Sequence, residues 1–310
     1  MPKKIIFMGT PMFAVPILKS LYLNGFPINL VYTQPPQKSH RGQKINKSPI
    51  QNLSESLKIN FRSPRTLKDN VEEYEFLKKI DADLSIVVAY GQIIPKEFLK
   101  LVKKGFINIH ASILPKWRGA APIQRAIMNL DKEIGISIMK INEDLDSGPT
   151  SNIYKLKLDQ RHNAIQVSET LALLAADKIL DVVNEIFDGK SKFIDQDNSK
   201  ATYAKKITKN EGQIDWKSDA LNIIGKINGL YPYPGAFFNF NGQRYKILKA
   251  EIGNGVGKNG EVISDDLEIA CGGEKSIKVL EIQREGKKVQ RIGEFILGSQ
   301  IIRGSIISNV

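Results

Sequence analysis

Three polar residues, Asn108, His110 and Asp146, have the side-chain types that an acyl transfer needs. Asn108 and His110 are two positions apart at the end of an apolar run, so in a strand they project from one face. A polar pair is costly in a buried sheet unless it is used or fully hydrogen-bonded. An amide can donate to an oxygen that becomes negative in a tetrahedral intermediate, an imidazole titrates near neutral pH, and a carboxylate can orient that imidazole.

The chain lacks the sequence signatures of a covalent enzyme intermediate and of a metal centre. It has no nucleophile elbow around a serine, no HExxH and no CxxC, and its single cysteine is Cys271. One cysteine excludes an internal disulfide and a cysteine-clustered metal site. Direct transfer between two bound substrates, without a metal, is therefore the expected reaction type. A structural histidine at position 110 and an ordinary turn at Asp146 are the alternatives that the residues alone leave open.

The elements that must position these side chains are those of a Rossmann-like α/β domain. Apolar runs predict strands at 5–8, 28–33, 84–89, 106–110 and 135–141. Helical spacing predicts helices at 12–24, 49–58, 71–80 and 164–187, and the polar segment 34–48 is predicted to be a loop. Such alternation favours a mostly parallel sheet covered by helices on both faces. Ligands of these sheets bind beyond the carboxyl ends of the strands, where Asn108 and His110 are placed.

The last third of the chain has a different pattern. Residues 190–206 lose hydrophobic periodicity and are predicted to be a linker. After a helix at 218–228, short strand-like segments are predicted at 236–240, 244–251, 260–264, 267–271 and 277–283. Asn241-Gly242 is a strong hairpin signal. We therefore expect a catalytic domain over 1–189, the linker, and a smaller OB-like β-barrel over 207–310.

The charge balance points to a polyanionic partner. The 310 residues include 45 Lys and Arg against 33 Asp and Glu, a net charge of +12. Residues 1–50 hold seven basic residues and no acidic one, and residues 201–250 hold eight basic and three acidic ones. A basic surplus favours nucleic acid in a salt-sensitive manner, although a generally basic proteome would leave the same imprint.

The hydrophobic pattern predicts a soluble cytoplasmic protein with no membrane partner. No apolar stretch approaches the ~18 residues of a membrane span, and the first apolar run is too short for the core of a signal peptide. With 42% hydrophobic and 25% charged residues, the composition is globular and excludes a disordered or fibrous chain. We expect a monomer.

Several motifs resemble those of the folate-dependent formyltransferases. The central ones read NIH at 108–110, SILPKWRGAAPI at 112–123 and LDSG at 145–148. Further matches lie at 8–16, 33–35, 87–95, 201–204 and 209–216, so the resemblance covers essentially the whole chain. It implies transfer of the formyl group of 10-formyltetrahydrofolate to the methionyl amino group of an initiator tRNA, for translation initiation.

The resemblance also implies roles for particular residues. Asn108, His110 and Asp146 match the catalytic trio of the family. One wall of the folate pocket is then expected from Ser112, Ile113, Leu114 and Pro115. The other wall is expected from Tyr90, Gly91, Gln92, Ile93 and Ile94.

Two basic clusters are expected to bind tRNA. The first is the loop with Lys38, Arg41 and Lys44, which matches a family loop that engages the tRNA acceptor end, although Pro36 stands where an acidic residue is usual. The second comprises Lys205, Lys206 and Lys209, for which we expect phosphate contacts without sequence specificity. From the residues alone, either cluster could be an ordinary solvated surface.

Two other functions stay open at this stage. The acceptor could be glycinamide ribonucleotide or an amino-sugar nucleotide, whose binding would depend little on salt. The chain could also be a nucleic-acid-binding module that has lost catalysis, against which the intact trio argues. Turnover of the formyl donor separates an enzyme from a module that has lost catalysis.

Overall fold

The computed structural model describes residues 3–39 and 44–308, in which strands and helices alternate up to residue 187. The strands are β1 (Ile5–Gly9), β2 (Ile28–Tyr32), β3 (Gln37–Ser39), β4 (Lys44–Asn46), β5 (Phe61–Arg62), β6 (Leu84–Val88), β7 (Phe106–His110), β8 (Arg118–Gly119), β9 (Glu133–Lys140), β10 (Thr150–Lys157), β11 (Tyr203–Ala204), β12 (Ala236–Phe240), β13 (Gln243–Gly253), β14 (Glu268–Cys271), β15 (Lys275–Arg284) and β16 (Gln290–Arg291). The helices are α1 (Val15–Leu23), α2 (Pro49–Ser56), α3 (Val71–Ile80), α4 (Lys96–Leu99), α5 (Pro122–Met128), α6 (Ala164–Phe187), α7 (Ala220–Gly229) and α8 (Ile292–Phe295).

The chain divides into two compact units. The first is built from residues within 1–119, 135–156 and 168–203. The second is built from 120–134, 157–167 and 204–310. Segments that are distant in sequence therefore share a unit, and each unit is described separately below.

The first unit is built on a seven-stranded sheet with the order β10-β9-β7-β6-β1-β2-β5. Neighbouring strands from β7 to β5 run parallel, whereas β9 is antiparallel to β7. The residues of β1 and β6 are buried along their whole length, which is why these strands read as unbroken apolar runs. The predicted Rossmann-like architecture is confirmed. Because β1, β6 and β7 are parallel, their carboxyl ends meet at one edge of the sheet.

The second unit contains a curled antiparallel sheet with the order β12-β13-β15-β14, and β16 pairs with β15. Asn241 and Gly242 connect β12 to β13 with φ values of +48° and +72°, as a two-residue hairpin of this kind requires. Register shifts after Ile247 bend the long strand β13. The core beneath the sheet includes Trp216 and Phe238, whose rings meet edge to face. This half-barrel agrees with the predicted small barrel domain.

Helix α5 belongs to the second unit because it packs against α7. Two glycines on α7 permit that approach. A Cβ at Gly225 would lie 2.8 Å from Leu130 Cδ2, and one at Gly229 would lie 2.6 Å from Met128 Cγ. Larger residues at either position would push the helices apart.

Some elements differ from the sequence expectation. Inside the expected loop 34–48, β3 and β4 form a short antiparallel pair. The strand expected at 260–264 is reduced to isolated bridges, from Glu261 to Ile306 and from Val262 to Ile269. Helix α5 was not predicted because its seven residues are too few to establish a period, although Pro122 at its first position is typical of a helix start. In the part of the chain that the structure describes, no helix combines the length and hydrophobicity needed to span a bilayer.

Candidate active site

The candidate site lies at the carboxyl end of β7. Asn108 and His110 project from the same face of this strand, while Ile107 and Ile109 are buried on the other face. His110 is only 6% exposed, and Asn108 is partly exposed. The sheet therefore presents an amide and an imidazole side by side, as the spacing predicts.

The third member, Asp146, reaches the pair from the turn that follows β9. Asn108 Nδ2 donates to Asp146 Oδ1 at 3.3 Å, and His110 Nδ1 lies 3.6 Å from Asp146 Oδ2. The backbone N–H of Gly119 donates to Oδ2 at 2.9 Å. Asp146 has a φ of +48°, a left-handed conformation that aspartate tolerates better than most residues. The structure thus brings the three predicted residues together.

The ring orientation of His110 is set by a backbone carbonyl. His110 Nε2 lies 2.9 Å from the oxygen of Trp117. A carbonyl oxygen can only accept a hydrogen bond, so Nε2 must carry a proton. The other ring nitrogen, Nδ1, is the one that faces Asp146. Trp117 itself has a φ of +62°, in the left-handed region that few residues with a large side chain adopt.

Two side chains, the buried Arg118 and the partly buried Gln196, hold the turn of Asp146. Gln196 Nε2 donates to the carbonyl oxygens of Asp146 and Gly148 at 2.9 and 2.7 Å. Gln196 Oε1 in turn accepts from Nε and Nη2 of Arg118, at 3.1 and 2.8 Å. Arg118 is 3% exposed, and Nη2 also donates to Asn198 Oδ1. Sequence reasoning missed Gln196 because it lies within the segment expected to be a linker.

Hydrogen bonds from Ser112 and Ser137 fix the segment 112–115, which is expected to form one wall of the folate pocket. Ser112 Oγ donates to Lys116 O at 2.6 Å. Ser137 Oγ, opposite His110 on β9, donates to Ser112 O and accepts from the N–H of Leu114. The side chains of Ser112 and Leu114 are buried at 1% and 4% exposure.

Only part of that wall is therefore open to a ligand. Ile113 and Pro115 alternate with the buried positions and are partly exposed. They offer apolar side chains, while the neighbouring residues act as supports.

The other expected wall, residues 90–94, follows β6 and likewise contains both buried and exposed side chains. Tyr90 and Ile94 pack into the core, at 2% and 9% exposure. Burial raises the pKa of the Tyr90 hydroxyl, with a smaller contribution from Glu73, so this group stays protonated. Ile93, by contrast, is 88% exposed.

The backbone of this second wall is held at fixed points. Thr10 Oγ1 donates to Tyr90 O at 2.8 Å, and Gln34 Nε2 donates to Gly91 O at 2.7 Å. Gln92 Nε2 donates to Pro64 O at 2.9 Å. The φ of Gly91 is +83°, which favours glycine at this position. The exposed surface of this wall is thus backbone and Ile93.

The first basic cluster is only partly visible. Arg41 lies outside the described residues. Lys38 and Lys44 belong to β3 and β4, where Lys38 is opposite Ile45 and Ser39 is opposite Lys44. Both lysines are within three residues of Arg41 along the chain.

The second basic cluster lies in the second unit, and its three side chains, Lys205, Lys206 and Lys209, are exposed. Arg125 on α5 fixes the backbone beneath them. Its Nε and Nη2 donate to Lys205 O at 3.2 and 3.0 Å, and Nη1 pairs with Glu211 Oε2 at 2.6 Å.

Glu211 completes this support. Its Oε1 accepts from the N–H and the hydroxyl of Thr208. The Arg125 guanidinium, helped by Thr208, lowers the pKa of the Glu211 carboxyl to about 2. Neither Arg125 nor Glu211 was predicted to have a role. Helix α5 was not predicted, so nothing in the sequence indicated that Arg125 lies next to Glu211.

A metal centre finds no support in the described part of the chain. Residues 3–39 and 44–308 contain no group of three or more His, Cys, Asp or Glu side chains that could hold an ion.

Comparison with known proteins gives matches over the whole length. A family model described as formyl transferase matches residues 3–183, and one described as formyl transferase, C-terminal domain, matches residues 206–300. A methionyl-tRNA formyltransferase of Pelagibacter ubique (strain HTCC1062) is 66% identical over 310 residues. The match covers 100% of this chain and 100% of that protein. A methionyl-tRNA formyltransferase of Caldanaerobacter subterraneus subsp. tengcongensis is 39% identical over 308 residues, which cover 98% of this chain and 99% of that protein.

Solved structures with a similar fold include other formyltransferases. WlaRD, a sugar 3N-formyl transferase solved with dTDP and 5-N-formyl-THF, is 19% identical with a TM-score of 0.70, covering 93% of this chain and all of its own. An N-formyltransferase from Helicobacter canadensis, in complex with folinic acid and dTDP-3-aminofucose, is 19% identical with a TM-score of 0.69. The match covers 90% of this chain and 99% of that protein. At this identity the likeness concerns the fold alone.

Proposed function

The chain belongs to the formyl transferase family, and from this premise we propose that it transfers the formyl group of 10-formyltetrahydrofolate to the amino group of methionyl initiator tRNA. The observation that carries the proposal is the cluster at the end of β7. There the Asp146 carboxylate lies within 3.3 Å of the Asn108 amide and 3.6 Å of the His110 imidazole. An amide, an imidazole and a carboxylate in contact are suited to acyl transfer and need no metal.

The acceptor is the point at which members of the family differ. The full-length relatives at 66% and 39% identity are both named for methionyl-tRNA, whereas the sugar formyltransferases are 19% identical. A net charge of +12 also suits a polyanionic acceptor. These observations favour tRNA over an amino-sugar nucleotide.

The formyl donor supplies the one-carbon group, and the residues present are suited to hold its ring system. Ile93 is 88% exposed beside the sheet edge, and Ile113 and Pro115 expose further apolar surface. Exposed apolar side chains next to fixed backbone groups are typical of a preformed small-molecule site. We assign Gly91 and Ile93 on one side, and Ile113 and Pro115 on the other, to direct contact. Tyr90, Gln92, Ile94, Ser112 and Leu114 would act through the backbone that they hold.

Asn108 is assigned to the oxygen of the formyl group. This oxygen becomes negative as the methionyl amine attacks the formyl carbon. One N–H of the amide donates to Asp146 Oδ1, which leaves the second N–H for the oxyanion. Loss of one such donor typically slows a reaction by about 100- to 1000-fold.

His110 and Asp146 are assigned to the proton. The amine loses a proton as the new carbon–nitrogen bond forms, and the departing folate nitrogen needs one as its bond to the formyl carbon breaks. His110 Nδ1 faces Asp146 and can take up this proton, while Nε2 stays bound to the Trp117 carbonyl. A protonated Nδ1 can also donate to the oxyanion, and the carboxylate then stabilises the imidazolium.

The proposal also assigns a role to each segment of the chain. We assign catalysis to residues 1–189, a connecting role to 190–206 and tRNA binding to 207–310. The tRNA contacts are assigned to Lys205, Lys206 and Lys209 and, on the other basic cluster, to Lys38, Arg41 and Lys44.

The test uses purified protein with 10-formyltetrahydrofolate and methionine-charged tRNA. We expect formyl-methionine to appear on the initiator tRNA at a much higher rate than on elongator methionyl-tRNA. A dTDP-amino sugar serves as the competing acceptor. Formylation of the sugar without formylation of the tRNA would overturn the proposed acceptor and retain the chemistry.

A further inference from the structure

The second unit contains a pocket of about 330 Å³ that the proposed function does not use, apart from Lys209 at its rim. Its lining combines cations with aromatic rings. The residues that matter here are Lys209, Tyr233, Phe237, Arg244, Lys246 and Glu285, which we call the basic–aromatic pocket. This volume lies in the range of natural small-molecule sites.

The register of the sheet explains why these side chains meet. Phe237 on β12 is opposite Lys246 on β13, and Lys246 is opposite Gln283 on β15. Arg244 is two positions from Lys246 and therefore shares its face. The alternate residues, among them Tyr245, point into the core. The pocket is thus built on the outer face of the sheet.

The cations of the pocket are stacked on rings and not paired with acids. The Arg244 guanidinium lies 4.2 Å from the centroid of the Phe237 ring, and Lys246 Nζ lies 5.8 Å from that of Tyr233. In the described part of the chain, no carboxylate lies within 4.0 Å of either cation. Burial, with a smaller contribution from Arg244, lowers the pKa of Lys246, and Glu285 opposes this lowering in part. Glu285 offsets only part of the charge of the three lining cations, Lys209, Arg244 and Lys246, so the pocket still attracts an anion.

Two further observations indicate space for a planar ligand. Tyr233 is 67% exposed although its ring lies beside the pocket. At Gly235, where φ is +82°, an added Cβ would lie 2.9 Å from Lys246 Cδ. The glycine therefore leaves room for the lysine stem to pass close to the backbone.

We propose that the basic–aromatic pocket binds one unstacked nucleotide of an RNA single strand, with the phosphate on Arg244 and Lys246 and the base stacked on Tyr233. Arginine and lysine neutralise phosphates, and exposed aromatic rings stack on bases of any sequence. The inference rests on the proposed function in one respect, namely that tRNA is the RNA concerned. An acidic peptide would also satisfy the cations, but it would leave the exposed ring without a stacking partner.

The test measures RNA affinity by fluorescence anisotropy over a series of salt concentrations. The probes are a short labelled oligouridylate, a duplex RNA of equal charge and the initiator tRNA. The variants are the pair R244A/K246A, Tyr233→Ala and Tyr233→Phe. Lys275→Ala is the matched control because it removes one cation from the opposite end of β15.

The variants should separate charge from stacking. R244A/K246A should weaken oligouridylate binding at least tenfold and reduce the slope of log affinity against log salt by about 0.7 for each phosphate that the variant no longer neutralises. Tyr233→Ala should weaken oligouridylate binding about tenfold with little change in slope, and Tyr233→Phe should retain the wild-type affinity. The control should change affinity less than twofold, and the duplex should bind less tightly than the single strand.

The outcomes distinguish this inference from the proposed function. If wild-type protein formylates initiator tRNA but R244A/K246A and Tyr233→Ala bind oligouridylate and tRNA normally, the pocket inference alone is overturned. Preference for the duplex, or competition by oligoglutamate but not by oligouridylate, would overturn it too. If the variants lose oligouridylate binding while wild-type protein fails to formylate methionyl-tRNA, the pocket stands and the proposed acceptor falls. Circular dichroism of each variant confirms that it is folded.

Discussion

The proposed catalytic cluster of the first unit and the basic cluster of the second are held by opposite means. His110 and Asp146 are tied to fixed backbone groups, the carbonyl of Trp117 and the N–H of Gly119. The side chains of the lysine cluster extend into solvent, and only the backbone under it is fixed, by Arg125.

The difference is what the proposed roles of the two regions would require. A group that stabilises a developing charge must lie within about 0.5 Å of its productive position, so each side chain needs supports of its own. A phosphate contact needs charge and reach, and a long flexible side chain supplies both. Mutations should therefore act on rate in the first region and on affinity in the second.

The largest expected effect is at His110. His110→Ala removes the nitrogen that faces Asp146, and general acid–base catalysis of this kind contributes about 100- to 10,000-fold. Asp146→Asn keeps the size of the side chain but removes its charge, and should also slow the reaction at least 100-fold. Single-turnover formylation at saturating substrates measures both variants. Wild-type turnover in either would remove the cluster from the mechanism, and a melting curve checks that both remain folded.

A smaller effect on rate is expected at Gln196, a positioning residue. Gln196→Ala releases the carbonyls of Asp146 and Gly148, and should lower kcat by about 10- to 100-fold without raising KM for tRNA. Gln196→Glu still accepts from Arg118 but can no longer donate to the Asp146 turn. It should be as slow as the alanine variant although it is the more stable of the two. Equal kcat for Gln196→Glu and wild type would show that the donated hydrogen bonds do not matter.

In the second region, charge reversal at Lys206 should change affinity and leave the chemical step intact. Lys206→Glu is expected to weaken tRNA binding about tenfold at low salt, with the effect shrinking as salt rises. Filter binding over a salt series measures this, with Lys275→Glu as a charge-matched control on β15. An unchanged tRNA affinity would count against the assignment of Lys205, Lys206 and Lys209.

The smallest effect concerns pH and the support beneath those lysines. Glu211 has a folded pKa of about 2, below the ~4.3 of an unfolded chain. Its stabilising contribution is therefore fully present above pH ~4.3 and is lost as pH falls toward 2. Arg125→Ala should lower the free energy of unfolding at pH 6, and the difference from wild type should narrow by pH 3. Urea titrations at the two pH values provide the comparison, and a constant difference would exclude the pair as its source.

The sequence allowed the placement of candidate side chains to be predicted where they lie on a regular element. Asn108 and His110 followed from the two-residue period of a strand. Asp146 was a candidate only for its carboxylate, and an ordinary turn stayed open until the family resemblance, because a residue in a turn carries no periodic signal. The Trp117 carbonyl and the Gly119 N–H could not be predicted, since backbone groups look alike in every sequence.

The expected folate walls illustrate a second limit. The sequence pattern marks 90–94 and 112–115 as segments at strand ends, but it does not say which side chains turn outward. Tyr90 and Leu114 are buried, whereas Ile93 is exposed. A strand that is buried on both faces gives no alternation from which the direction of the following residues could be inferred. Their assignment to folate stays a prediction.

The separation of rate from affinity is tested most directly by one variant from each region in the same assay. Single-turnover formylation of initiator methionyl-tRNA is measured for Asp146→Asn and for the triple variant K205A/K206A/K209A, over a range of tRNA concentrations. We predict that Asp146→Asn loses at least 100-fold of the maximal rate with little change in half-saturating tRNA concentration. The triple variant should need about tenfold more tRNA and then reach the wild-type rate. A maximal rate that falls equally in both variants would contradict this separation.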